Sequence, residues 1–233
     1  MTIRAGRGAA AVALALAMAL GSAACGGGGG ADSGGRTAPK TLGRASSAAE
    51  DSIESILAGR RDQAVRSTAL LDQLAQGDLP DDLEGIISKE ELGELQGRSA
   101  ELARIAPDGE PIDVALAANH AFELLARLAG HFDSDVPAGV RLLGYCDREA
   151  KLRASARELD GVRSAAERLA ATWSGVVKAF PAGEKAAQAR SRFEAHAAAL
   201  AGLVAAGTDF DGMVREADHG LALLAEVEAV FAG

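Results

Sequence analysis

The chain has 233 residues, 33 acidic against 24 basic, and a formal net charge of −9; 48% of it is hydrophobic and 3% aromatic. Length and apolar fraction exclude a miniprotein and a wholly disordered chain. The acidic balance and scarce aromatics argue against a nucleic-acid-binding surface, which needs basic grooves and stacking rings.

The first residues carry Arg4 and Arg7, an apolar run from about Gly8 to Leu20, and the small residues Gly21-Ser22-Ala23-Ala24 before Cys25. A basic start, an apolar run of about a dozen residues and a small-residue end form an export signal, too short to span a bilayer. Ser22-Ala23-Ala24-Cys25 resembles the lipobox of bacterial lipoproteins, with Ser22 where that family usually has Leu. The resemblance implies cleavage before Cys25 and lipid attachment to it; Ser22-x-Ala24 equally fits ordinary cleavage to a secreted form. Gly26–Gly30 and the Ala31–Gly35 stretch read as a flexible tether over 25–44. Loss of residues 1–24 removes two arginines and no acid, moving the net charge from −9 to −11. A lipidated Cys25 leaves Cys146 without a disulfide partner in the chain.

From about Ala45 the pattern is helical: Leu and Ala recur at spacings of three and four between prolines at 80, 107, 111, 137 and 181. Ser47-x-x-Glu50 predicts the start of a first helix ending near Gly59, and Asp62 caps a second that runs to Gly77. Asp78–Asp82 reads as a loop. Ser88-x-x-Glu91 is a second capping box and opens a helix that ends at Pro107, while Pro111 sits in the first turn of the next. Further helices are expected over 138–158, 161–179, 184–206 and, after a Thr208 cap, 210–231. With no strand-like alternation, the fold class is all-α: about eight antiparallel helices over 45–233, as an irregular bundle or an array of helical hairpins. The break at Pro137 also allows sub-units 45–135 and 136–233.

The sequence holds no Gly-x-Ser-x-Gly, nucleotide-binding loop, His-Glu-x-x-His or Cys-x-x-Cys, so no enzyme class is indicated. Helical geometry, at about 100° per residue, then sorts the polar candidates. In the 138–158 helix, Leu142, Tyr145, Cys146, Glu149 and Leu152 share one arc, which places a carboxylate within an apolar stripe. A buried carboxylate needs a partner, either an arginine of a neighbouring helix or a bound ligand. His196 points inward with Phe193, Leu200 and Leu203, as a core histidine or a ligand, whereas His219 falls on a solvated face. His120 and His131 are about 16 Å apart along their helix and cannot share one ion, and Glu123 stands one turn from His120. Trp173 lies at the centre of an apolar arc, as a core filler or a stacking platform.

The expected function is therefore non-enzymatic and without cofactor. It is an exported, lipid-anchored helical module that binds or scaffolds another cell-envelope protein, meeting the membrane through Cys25 and meeting no nucleic acid. By resemblance to lipoprotein sorting, Gly26 after the Cys points to the outer membrane of a two-membrane cell, facing the periplasm. In a one-membrane cell the position is the outer face of the cytoplasmic membrane. The alternative is a metal-ion or small-cofactor binding protein whose site holds Glu149 and His196, with Tyr145 and Trp173 beside it; one ion requires the two ligating groups within about 4–5 Å.

Overall fold

A computed structural model describes residues 36–232. The expected export signal, the expected lipid attachment at Cys25 and most of the expected glycine tether lie outside the described residues. Among the described residues nine α-helices follow one another: α1 (Lys40–Leu57), α2 (Arg61–Gln76), α3 (Asp78–Asp82), α4 (Lys89–Ile105), α5 (Pro111–Ala129), α6 (Ala138–Ser155), α7 (Leu159–Val176), α8 (Glu184–Ala206) and α9 (Phe210–Phe231). A 3-10 turn, Val177–Ala179, extends α7, and no strand occurs among the described residues. The fold is the all-α bundle that the periodicity predicts. None of these helices is long and apolar enough to cross a membrane.

Two local expectations are corrected. The first helix begins at Lys40 rather than Ser47, so residues 40–44 are helix and not tether. Leu42, Ala45 and Ala49 extend the apolar stripe of Ile53 and Ile56 N-terminally, and all are buried. Ser46 sits in the helix interior with its hydroxyl bonded back to the Leu42 carbonyl at 3.0 Å. Asp78–Asp82 is a short helix rather than a loop. Pro80 lies in its first turn, where a missing N–H costs nothing, and the fully buried Leu79 pins it to the core.

Other boundaries follow their local chemistry. Ser88 and Glu91 form the reciprocal capping box that opens α4. Asp209, rather than Thr208, caps α9, its Oδ1 accepting from the Gly212 N–H at 2.7 Å. Gly207 ends α8 in the left-handed region at φ 71°, a conformation that favours glycine. Arg61 fastens the first helical hairpin to the second, donating to the carbonyls of Ala106 (2.9 Å), Pro107 (3.1 Å) and Gly109 (2.9 Å) at the α4–α5 turn.

α1 packs on α2 and α5, α2 on α4, α4 on α5, and α8 on α7 and α9. α6 is the central helix, in contact with α5, α7 and α9. Its burial extends around the helix: Val140, Leu143, Tyr145, Cys146, Asp147, Glu149, Ala150 and Leu152 are all buried. One apolar core runs from Leu42 on α1 to Val227 on α9. Each fully buried Leu in it contributes about 1.5–3 kcal/mol by leaving water.

Candidate functional site

α6 carries two buried carboxylates, and they face different neighbours. Residues two apart on a helix are about 200° apart around it, so Asp147 and Glu149 point to opposite sides.

Glu149 turns toward α5. It accepts from Arg153 Nε at 2.9 Å and from Asn119 Nδ2 at 3.1 Å, and His120 Nε2 lies 3.4 Å away. Its arginine partner thus comes from one turn along its own helix, not from a neighbouring one. Burial opposes its ionisation, but these hydrogen bonds outweigh it and hold the carboxyl below its ordinary value. Tyr145 lies on the same side, accepting from Arg168 at 2.8 Å. Arg168 also pairs with Glu123, which therefore does not serve His120. Tyr145, Glu149, His120, Arg153 and Arg168 line a shallow cavity of about 150 Å³. Every charge in it has a partner, so the network reads as a satisfied structural one.

Asp147 turns toward α8 and α9. Its Oδ1 lies 3.0 Å from His196 Nε2, and both side chains are fully buried. The second ring nitrogen, Nδ1, lies 2.9 Å from Glu216 Oε1, and the same oxygen lies 3.3 Å from His219 Nδ1. Burial alone would lower the pKa of His196, but hydrogen bonds to Asp147 and Glu216 outweigh it and raise it above the ordinary histidine value. Asp147 Oδ2 is buried and accepts no hydrogen bond from the described residues.

The backbone makes this arrangement. α8 and α9 are joined by a three-residue turn at Gly207, and residues equally far from such a turn meet across an antiparallel hairpin. His196 lies eleven residues before Gly207, and Glu216 and His219 lie nine and twelve after it. Glu216 and His219, three apart, share one face of α9. One ligand atom from each of His196, Glu216 and His219 lies within 4.8 Å of the others. The cluster is graded from interior to solvent: His196 is fully buried, the Glu216 side chain is 21% exposed and that of His219 is 50% exposed.

The structure therefore brings Tyr145 and Glu149 together but places them apart from His196, which has its own carboxylate partners. Trp173 connects to the second group only through the core: its ring stacks on Phe193 with centroids 4.5 Å apart, and Phe193 meets the His196 ring edge-on at 5.3 Å. Trp173 is a core filler here, with Phe180 against its edge. His219 is as exposed as its helical face predicts, yet it reaches Glu216. Neither Asp147 nor Glu216 stands out in the sequence. Asp147 lies off the apolar arc of α6, and only burial on several sides of that helix makes it interior. Glu216 could have been found from the Glu216-x-x-His219 spacing counted against His196 across the Gly207 turn.

No known family model, curated protein or solved structure matches the chain. The chemistry of the site is read from its geometry.

Proposed function

We propose that this chain is an exported, membrane-tethered helical domain whose function is to bind a metal ion, through His196, Glu216 and His219, rather than to catalyse a reaction. The observation that carries the reading is the convergence of His196 Nδ1, Glu216 Oε1 and His219 Nδ1 from two helices onto one small volume. The envelope address rests on the lipobox resemblance and the glycine tether. A pure scaffold role is supported less: the large hydrophobics exposed among the described residues are Leu57 and Leu70, little for an apolar docking face.

The test is elemental analysis of the full chain purified from native membranes without chelator, beside a His196→Ala/His219→Ala variant and a Glu149→Gln variant. About one ion per chain is expected in the wild type and in Glu149→Gln, and none in the double histidine variant. Absence of any ion, or equal loading of the histidine variant, overturns the reading. An ion lost only in Glu149→Gln would move the site to the cavity beside Tyr145.

A further inference from the structure

Resting on that reading, we infer that the site selects a divalent first-row transition ion over Mg²⁺ and Ca²⁺, and that Asp147 is the residue that positions His196 to ligate it. Asp147 contributes no ligand atom: its carboxylate accepts from one edge of the imidazole while the opposite edge faces Glu216 and His219.

The donor set argues for the ion class. Two imidazole nitrogens and one carboxylate oxygen suit zinc, copper, nickel, cobalt or iron, whereas Ca²⁺ takes six to eight oxygens and Mg²⁺ prefers oxygen and keeps its waters. An ion about 2 Å from each of three ligands holds those ligands roughly 3–4 Å apart. His196 Nδ1 and His219 Nδ1 already lie 2.9 Å and 3.3 Å from Glu216 Oε1, so small side-chain movements suffice. On the His219 side the site opens to solvent, which leaves coordination positions for water or an exchanging ligand.

The role of Asp147 rests on three observations. His196 Nε2 lies 3.0 Å from Asp147 Oδ1, so with a metal on Nδ1 the ring keeps its proton on Nε2 and donates it to the carboxylate, the orientation that fixes tautomer and ring plane in histidine-metal sites. Both side chains are fully buried, so the ring cannot turn toward another acceptor in water. Gly220 on α9 closes the space behind the pair: a Cβ there would overlap His196 Nε2 and come within 2.5 Å of Asp147 Oδ2.

The experiment is a titration of the full chain, stripped of metal, with Co²⁺ followed by its visible absorption, then competition with Zn²⁺ and with millimolar Mg²⁺ and Ca²⁺. Expected are one Co²⁺ per chain, displacement by Zn²⁺ and none by Mg²⁺ or Ca²⁺. Asp147→Asn, which keeps an acceptor but removes the charge, should weaken Co²⁺ binding by about 10–100-fold and alter the spectrum. Nitrogen-15 NMR of the zinc-loaded wild type covers a variant that fails to fold: His196 must show metal on Nδ1 and a retained proton on Nε2. The opposite tautomer, an unchanged affinity in a folded Asp147→Asn protein, or displacement by Mg²⁺ or Ca²⁺ overturns this inference while leaving metal binding intact. Failure of Co²⁺, Zn²⁺ and Cu²⁺ alike to bind removes the proposed function itself.

Discussion

Gly220 on α9 lies directly against His196 on α8, so close that a methyl group on it would overlap the imidazole Nε2 and crowd Asp147 Oδ2. Glycine is costly in a helix interior, by roughly 0.5–1 kcal/mol relative to alanine, and here close approach of a backbone to a buried polar pair accounts for it.

Gly220→Ala should therefore destabilise the fold by about 1–3 kcal/mol, as overpacking does. Gly97 on α4 provides the contrast, because a Cβ there meets nothing within 4 Å. Gly97→Ala should stabilise by about 0.5–1 kcal/mol through helix propensity alone. Denaturant melts of the two variants beside wild type check both signs; a stabilising Gly220→Ala would refute the close approach.

How much of this was legible beforehand depends on range. α8 and α9 have the boundaries that Pro181-Ala182-Gly183 and Gly207 announce, because turn chemistry is local, although the cap of α9 is Asp209 and not the expected Thr208. α3 was not legible: five residues are too few for a period, and it exists because Leu79 finds a place in the core. The inward direction of His196 follows from its own helix, as does that of Glu149. The partner of each does not, since Asp147 becomes buried only when α9 covers the face of α6 that the apolar arc leaves open, and Glu216 matters only through the register of α9 on α8.

Glu149 carries a pH prediction. Its folded-state pKa is held below the ordinary 4.5, the His120, Arg153 and Asn119 hydrogen bonds outweighing burial. A depressed carboxyl pKa adds stability that is present above the unfolded value and is lost as pH falls through the folded one. Unfolding free energy should thus decline as pH drops below about 4.5, and Glu149→Gln should flatten that decline while lowering stability at pH 7 by about 1–3 kcal/mol. Equal acid slopes for variant and wild type, measured by urea melts across pH 3–7, would count against this pairing.

Cys146 should be chemically silent. It is 1% exposed, and burial pushes its thiol up to about 12, so almost no thiolate exists at neutral pH. Iodoacetamide should leave it unmodified in the folded chain and label it fully in denaturant, as read by mass spectrometry. Rapid labelling under native conditions would mean that α6 is less enclosed than its packing against α5, α7 and α9 implies.

His219 separates binding from folding. Its side chain is half exposed, hydrogen-bonding Glu216 and meeting the His196 ring edge-on with centroids 6.0 Å apart, so His219→Ala should change metal-free stability by no more than about 1 kcal/mol. His196→Ala, by contrast, strips the fully buried Asp147 of its hydrogen-bond partner and empties the space of a buried ring, and should cost several kcal/mol, because an unsatisfied buried polar group and a cavity are left behind. An ion that binds only the folded state adds about 2.7 kcal/mol at a free concentration 100 times its Kd. Each kcal/mol moves Tm by roughly 2–4 °C in a chain of this size. Zn²⁺ in excess should therefore raise the Tm of wild type by several degrees, reversibly with EDTA, and leave that of His219→Ala where it was. Equal Zn²⁺-induced shifts in the two proteins would show that His219 is no ligand and would overturn the three-residue site.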